Sequence, residues 1–529
     1  MAGINRISGL ASGMDIDQLV KDMMKGQQLR LDTAWQNKQI WQWRQEAYRT
    51  VNTSLLTLRN KVFDLKLQGN FQARRAVSSD ESLVAAAAGA NASVASYQIK
   101  VEQLASVATN CSTDKISDGT LKTKDTLWSQ RDAFSGDFEW TVDENDRHSF
   151  SFEITVDNQV HSIEVDGDTE TFDSLLARIN RECGVSVFYD AAVDKVSLST
   201  NKTGNRQDGA EIQVSGSFLT DVLNIDASEE QGGADALFEI NGLTGLTSHD
   251  NTYTVNGVTF NFKGADINKT VAVSVEEDID QMVDFIKDFV DKYNEIIDGI
   301  NEKLNEKRYS SYPPLTEEQI RDGGLTDRQI DAWEEKSRSG LLRRDEILSG
   351  ALSEIRMVMS GIVQGITDEV TVTNGFEQYS GPADRLSMIG ITTGSYLERG
   401  KLHLDEAKLR EALQSNSAAV MNLFTRTRDA EGKEISDPEQ KGIAVRLYDS
   451  VNKAMSRITS QAGSAGSLYD DSYIGRTVRQ IDERMALLEE QYARLEDRYY
   501  RQFTAMEQAI AKMNSQSMWL NTQLMSGGQ

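Results

Sequence analysis

The chain has 529 residues, 82 of them acidic and 56 basic, and it carries a net charge of −26. Because a phosphate backbone would repel such a chain, we expect no general nucleic-acid binding and no attachment to an anionic membrane surface. The sequence opens without the charged and apolar parts of a signal peptide, and no apolar run is long enough to span a bilayer. We therefore expect neither a cleaved signal nor membrane insertion.

Few residues in the sequence suggest chemistry. The histidines are scattered without metal-ligand spacing, and no phosphate-binding glycine loop is present. The segment Asp166–Glu170 resembles a calcium loop weakly, because its glycine is misplaced and Ala177 stands where the closing acid should be. Cys111 and Cys183 form either one bridge or two buried thiols. We predict no cofactor, no metal and no catalytic residue, and hence a structural or binding protein.

Two helical features are predicted near the start of the chain. Asp15 and Gln18 form a capping box whose helix presents Ile16, Leu19 and Met23 on one face, buried within the chain or against another subunit. Farther on, apolar residues at alternating steps of three and four form a heptad seam, which needs a partner helix. The seam consists of Trp41, Tyr48, Val51, Leu55, Leu58, Val62 and Leu65, and Arg44 interrupts it at a position that should be apolar.

The middle of the chain shows the two-residue period of half-buried strands. The pattern runs from about residue 76 to residue 275, and Asn256-Gly257 predicts a hairpin turn within it. A break is expected near Gln231-Gly232-Gly233. We therefore divide this region into an inner β-rich domain, residues 76–110 and 233–275, and an outer one, residues 111–232.

Helical periodicity returns after the strands. A heptad seam begins at Ile279, and capping boxes at Thr316 and Thr326 predict two short helices. Residues 276–428 are expected to form helices with a β-hairpin, and residues 429–470 a linker and a helix. Residues 471–529 are predicted to form a coiled-coil helix with Leu488, Leu495, Ile510, Leu520 and Leu524 in its seam.

These patterns predict an α+β fold with a helical rod or leg at the ends of the chain. Long terminal coiled-coil helices form the leg, and two β-rich head domains are inserted between them. The N-terminal part is divided into a mobile helical segment, residues 1–40, and a leg helix, residues 41–75. Seams of doubtful stability on their own are typical of helices that order against a partner.

Several motifs resemble those of the bacterial flagellar filament cap proteins, also called the hook-associated protein 2 family. The first is Gly9–Asp17, at the start of the chain, and four others follow in the family's order. They are Tyr97–Ala105, Ile240–Gly242, Pro314–Glu334 with Gly340–Leu342, and Ile389–Thr392 with Gly400–Asp405. The region from about residue 110 to residue 232 matches the family only in its general pattern.

The resemblance implies a structural cap at the distal tip of the flagellum, outside the cell. Such caps are rings of about five or six copies that promote flagellin polymerisation and prevent the loss of exported monomers. Their terminal helices contact flagellin, and their β domains form a plate. Export through the flagellar type III channel needs no cleaved signal, and a dedicated chaperone would hold the C-terminal helix.

Apolar side chains of the terminal helices are the candidate contacts with flagellin or with neighbouring cap subunits. They are Leu10, Ile16, Leu19, Met23, Leu55, Leu58, Val62, Leu488, Leu495, Ile510, Leu520 and Leu524. Three other interpretations stay open. The chain could be a hook–filament junction protein, an adhesin whose head binds host glycan or mucin, or an enzyme, which would need a clustered catalytic set.

Overall fold

The structure, a computed structural model, describes residues 12–89, 91–375, 377–466 and 470–526, without the side chains of residues 322, 396 and 524–526. Nine helices lie in this part of the chain: α1 Ile16–Lys66, α2 Phe172–Glu182, α3 Ile279–Asn305, α4 Glu317–Asp322, α5 Asp327–Arg338, α6 Glu346–Ser360, α7 Glu406–Thr425, α8 Ile443–Ala462 and α9 Tyr473–Ser526.

The strands divide between two compact units. The helical unit comprises residues 1–71 and 279–529, and the β-rich unit residues 72–278. The strands of the β-rich unit are β1 Arg74–Ser78, β2 Val84–Ala88, β3 Ala95–Gln103, β4 Val107–Cys111, β5 Thr141–Val142, β6 His148–Val156, β7 Gln159–Asp166, β8 Val185–Asp190, β9 Lys195–Thr203, β10 Ile212–Ser215, β11 Ala236–Ile240, β12 Leu243–Ser248, β13 Thr252–Val255, β14 Val258–Phe262 and β15 Val271–Glu277. The helical unit holds two hairpins, β16 Glu369–Asn374 with β17 Glu377–Pro382, and β18 Ile391–Thr393 with β19 Leu402–Leu404.

The helical unit is built around α1, which packs against α3, α8 and α9. The side chain of Asp15 accepts a hydrogen bond from the backbone N–H of Gln18 and caps the helix. From there α1 runs without interruption to Lys66, so the predicted division between residues 1–40 and 41–75 is not a break in the helix. The apolar face of α3 is buried as the heptad pattern predicts, from Met282 to Leu304.

Asp470 holds the corner between α8 and α9 against the middle of α1. Gln45 and Arg49 each donate a hydrogen bond to its carboxylate, at 2.6 and 2.9 Å, and each also donates one to the carbonyl of Ala462, the last residue of α8. The N–H of Ser472 donates to the same carboxylate. The predicted separation of α8 from the final helix is therefore confirmed, and its corner is fixed by side chains.

The β-rich unit contains two separate hydrophobic cores. One lies under the five-stranded sheet β1-β15-β3-β11-β12 and the three-stranded sheet β13-β14-β2, and its residues run from Val84 to Ala105 and from Ala236 to Val275. The other packs α2 against the sheets β4-β9-β8 and β10-β6-β5, with β7 paired to β6, and its residues run from Ile116 to Ile225. The change from one core to the other falls next to Gln231-Gly232-Gly233.

The structure confirms the predicted fold class, in which long terminal helices flank an inserted β-rich region. Both predicted capping boxes also form, at Thr316 with Gln319 and at Thr326 with Gln329. Within the predicted linker, the exposed segment 429–441 is held at one point, where Ile435 is buried and its N–H donates to the carbonyl of Thr427. Pro438 opens a short 3-10 turn in the same segment.

Candidate interaction surfaces

The C-terminal half of the α1 seam is occupied by the chain itself. Leu55, Leu58 and Val62 are completely buried in the helical unit, where α3 and α8 pack against α1. Each fully buried aliphatic side chain contributes about 1.5–3 kcal/mol to folding. These three residues are therefore core residues, and the prediction that they bind flagellin or a neighbouring subunit is wrong. Periodicity shows that a seam needs a partner but not which chain supplies it.

Arg44, which interrupts the seam, has a buried carboxylate as its partner. Its guanidinium donates to Asp345 at 3.1 Å, and the hydroxyl of Tyr48 donates to the same oxygen. The other oxygen of Asp345 accepts the N–H groups of Ile347 and Leu348 and so caps α6. Burial and the neighbouring carboxylate raise the pKa of Tyr48 well above its usual range. The irregular position thus ties the middle of α1 to the start of α6.

The N-terminal half of α1 has α9 as its partner. Ile16, Val20 and Met24 are buried and form a small core, which the half-buried residues Tyr492, Leu495, Tyr499, Tyr500 and Phe503 complete. Tyr500 also donates a hydrogen bond to Asp17 at 2.9 Å. Two of the predicted contact residues, Ile16 on α1 and Leu495 on α9, therefore lie in the same small core within one chain. This pairing is mainly a coil of two helices, with a polar contribution from Pro314, whose carbonyl accepts from Gln36, and from Glu318 beside Lys21. Its apolar core is much smaller than the one around Leu58.

Other predicted contact residues remain accessible. On α1, Leu19 is 36% exposed and Met23 is 49% exposed. On α9, Leu488 and Ile510 are half-buried, and Leu520 is 54% exposed beside Trp519 at 63%. Leu10 lies outside the described residues, as does the side chain of Leu524. The structure thus leaves apolar surface at the N-terminal part of α1 and at the C-terminal part of α9.

A groove of about 760 Å³ lies between α1 and α9 on this thinner pairing. Leu29, Trp41, Ile481 and Leu488 supply its apolar lining, and Leu29 is largely exposed. Sequence reasoning missed Leu29, because it falls outside the heptad positions on which the prediction rested. Its exposure in the structure is the signal that finds it.

The histidines show no catalytic grouping within the described residues. His148 lies against Asp168, His249 against Asp235 and His403 against Glu398, each as an isolated pair. In the same part of the chain, no three side chains of His, Cys, Asp or Glu are close enough to hold a metal ion. Cys111 and Cys183 are unpaired, and only Cys183 is buried, so the prediction of two buried thiols is wrong for Cys111.

Among the helices of the described chain, none combines the length and apolar character needed to cross a membrane.

Comparison with known proteins identifies the family of the chain. The family model "Flagellar hook-associated protein 2 N-terminus" matches residues 12–108, and "Flagellar hook-associated protein 2 C-terminus" matches residues 233–515. The second match alone covers more than half of the chain. The chain therefore belongs to the flagellar hook-associated protein 2 family. Neither match includes residues 109–232, which contain the outer core of the β-rich unit.

Relatives extend the similarity over nearly the whole length. The flagellar hook-associated protein 2 of Halalkalibacterium halodurans is 31% identical over 97% of this chain and 98% of its own length. The flagellar hook-associated protein 2 of Thermotoga maritima is 24% identical over 98% of this chain and 96% of its own length. The crystal structure of domains D1-D2-D3 of the flagellar cap protein FliD from Escherichia coli is 20% identical, with a TM-score of 0.48, and is matched over 82% of this chain and 99% of that one.

Proposed function

We propose that this chain caps the distal end of the flagellar filament, where it promotes flagellin polymerisation and retains exported monomers. Membership of the flagellar hook-associated protein 2 family supports a role in the flagellum. The observation that carries the finer proposal is the apolar surface on the terminal helices, at Leu19, Met23, Leu29 and Leu520. Exposed apolar groups grouped on one element are typical of surfaces that bind another protein.

The thin pairing of α1 with α9 suits a surface that binds flagellin. A cap has to hold the filament while new subunits add beneath it. Several moderate contacts allow one to release while the others remain bound, because tethering keeps the released group at high effective concentration. A two-helix coil is less stable than a multi-helix core and can adjust to a partner more readily.

Three further parts of the proposal concern assembly. The cap is a ring of about five or six copies, and its subunits contact one another as well as flagellin. The chain reaches the outside of the cell through the flagellar type III channel, and a chaperone holds the exposed part of α9 before export. Met513, Met518 and Trp519 on that part would otherwise expose apolar surface in the cytoplasm.

Electron microscopy of cells that lack the chain tests the proposal. We expect stunted or absent filaments and unpolymerised flagellin in the medium, both restored by the intact chain. The double variant Leu19→Asp/Met23→Asp should fold but fail to restore filaments, because charge at these positions prevents apolar contact. Thr53→Asp/Thr57→Asp, at exposed positions with the same spacing on α1, is the matched control. Full-length filaments without the chain would contradict the proposal, and filaments that form but detach from the hooks would favour a junction protein.

A further inference from the structure

A cavity of about 510 Å³ on the helical unit has an unusual lining for so acidic a chain. It lies where the C-terminal end of α3, the start and middle of α6 and the connection between β18 and β19 meet. Its charged lining residues are three arginines, Arg344, Arg356 and Arg399, and the other lining residues are uncharged. We refer to it as the arginine cavity.

The three guanidinium groups have no carboxylate partner within the described chain, although acidic residues outnumber basic ones by 82 to 56. Arg356 makes one long hydrogen bond, from its Nη2 to Asn301 Oδ1 at 3.4 Å. Its Nε is buried and has no hydrogen-bond partner. Arg344 and Arg399 are exposed, and their side chains make no hydrogen bond or ion pair within the described chain, so their guanidinium groups are the ones open to an acceptor.

The fold holds the backbone of two of these arginines in a strained conformation. Arg344 and Arg399 both have left-handed backbone conformations, with φ of 56° and 54°, which cost about 1–2 kcal/mol each for residues other than glycine. Hydrogen bonds maintain them: Asn301 Nδ2 donates to the carbonyl of Arg399, and the N–H of Arg344 donates to the carbonyl of Leu304. Strain that the surrounding structure maintains is most often found at functional sites.

Gly400 lets the β18–β19 connection lie directly on Arg356. Its φ is +95°, and a Cβ added there would stand 2.5 Å from Arg356 Nε. Tyr293 also donates a hydrogen bond to the carbonyl of Gly400 at 3.2 Å. The same connection presents Leu397, which is 85% exposed, at the edge of the cavity. The cavity thus offers positive charge beside one exposed apolar side chain.

We propose that the arginine cavity binds carboxylate side chains of a second copy of this chain. Guanidinium groups bind carboxylates with paired hydrogen bonds, and Leu397 would cover an apolar neighbour of the bound acid. Charge complementarity favours a second copy: chains with a net charge of −26 repel one another, so their assembly needs a local positive surface facing a negative one. The proposal rests on the ring described under Proposed function.

The charge of the cavity also sets the symmetry of the contact. A two-fold contact through this surface would bring six arginines together, because it places the same patch of both copies face to face. The cavity must therefore meet a different, acidic surface of its neighbour. Such a head-to-tail contact, repeated with a rotation that closes, produces a ring.

Charge reversal in the full-length chain tests the cavity. Arg399→Glu and Arg344→Glu are compared with Arg328→Glu, an equal change of charge at an exposed position of α5. Mass is measured by light scattering over a protein dilution series, at low and high salt. We expect wild type and Arg328→Glu to assemble over the same range of protein concentration, and both to assemble more weakly at high salt. The two cavity variants should need an at least about tenfold higher concentration. Circular dichroism confirms that all variants fold.

Two results would overturn the cavity proposal: a wild-type chain that stays monomeric at every concentration, and cavity variants that assemble like Arg328→Glu. If the variants that assemble like Arg328→Glu also lose flagellin binding, the cavity would be assigned to flagellin. In each case, restoration of filaments in the deletion strain by the wild-type chain leaves the capping function standing, so the two proposals can fail separately.

Discussion

The two halves of α1 are parts of one helix with very different surroundings. From Trp43 to Leu65 one apolar face of the helix is buried by several helices, and Leu55, Leu58 and Val62 on that face have no exposed surface. From Ile16 to Trp41 the same helix has α9 beside it and leaves Leu19, Met23 and Leu29 accessible. Similar apolar spacing thus produces a core in one half and an incomplete coil in the other.

The difference indicates where stability and where function reside in the helical unit. A side chain buried on all sides contributes to folding, and its loss leaves a cavity. A side chain on a two-helix coil contributes less to folding and remains available to a partner. Helical regions with few buried contacts are also the ones that open most readily. We therefore expect substitutions in the two halves to separate stability from capping.

The largest expected effect comes from the buried half. Leu55→Ala/Leu58→Ala should lower the free energy of unfolding by about 5–8 kcal/mol, because each buried leucine costs about 2–5 kcal/mol when truncated. Leu19→Ala/Met23→Ala, a matched pair of truncations one helical turn apart on the exposed half, should cost less than about 1.5 kcal/mol. Urea unfolding followed by circular dichroism measures both. Equal losses in the two variants would remove the distinction on which the comparison rests.

The next effect is at Asp345, in the buried half. Asp345→Ala should destabilise the helical unit by about 3–5 kcal/mol, because it leaves Arg44 without its partner and removes the cap of α6. Tyr48→Phe, which removes one hydroxyl, should cost about 0.5–2 kcal/mol. Urea unfolding of the two single variants and the double variant gives the coupling energy. Independent, additive losses would contradict the shared network.

A smaller, pH-dependent effect is expected at Asp470, where the two halves meet. Burial disfavours its charge, but hydrogen bonds from Ser472 and Gln45 and the charge of Arg49 prevail and hold the pKa of Asp470 below its usual value. A lowered pKa stabilises the folded state above about pH 4, the usual value for aspartate, and that stabilisation is lost as the pH falls below it.

Thermal unfolding between pH 7 and pH 3 measures this contribution. The melting temperature of wild type should fall on acidification by more than that of Asp470→Asn, which cannot titrate. The control is Asp482→Asn, which replaces a more exposed carboxylate of α9 that pairs with Lys38. Its melting temperature should fall with pH as steeply as that of wild type. Identical slopes in wild type and Asp470→Asn would show that this corner contributes no pH dependence.

The sequence predicted the elements better than it predicted their partners. Heptad spacing located α1, α3 and α9, and the capping boxes at Thr316 and Thr326 formed as expected. Spacing could not show that Leu58 meets α3 and α8 of its own chain, because that depends on contacts far apart in sequence. Spacing also could not predict the arginine cavity, because its residues come from three separate segments of the chain.

Arg44 is the clearest example of such missing information. In the sequence it is only a charged residue at an apolar position, three hundred residues away from Asp345. A charge at a buried position predicts a buried partner, since an unpaired one would cost several kcal/mol. The identity of that partner, among 82 acidic residues, could come only from the fold.

The smallest effect on stability is expected at the exposed end of α9. Trp519→Ala/Leu520→Ala should change the free energy of unfolding by less than about 0.5 kcal/mol, because both side chains are mostly exposed in the folded chain. The same variant should fail to restore filaments in the deletion strain if this apolar surface serves a partner. Leu447→Ala, at a completely buried position of α8, should by contrast lower the free energy of unfolding by about 2–5 kcal/mol. Normal filaments with Trp519→Ala/Leu520→Ala would leave the exposed part of α1, at Leu19 and Met23, as the remaining contact surface on the terminal helices.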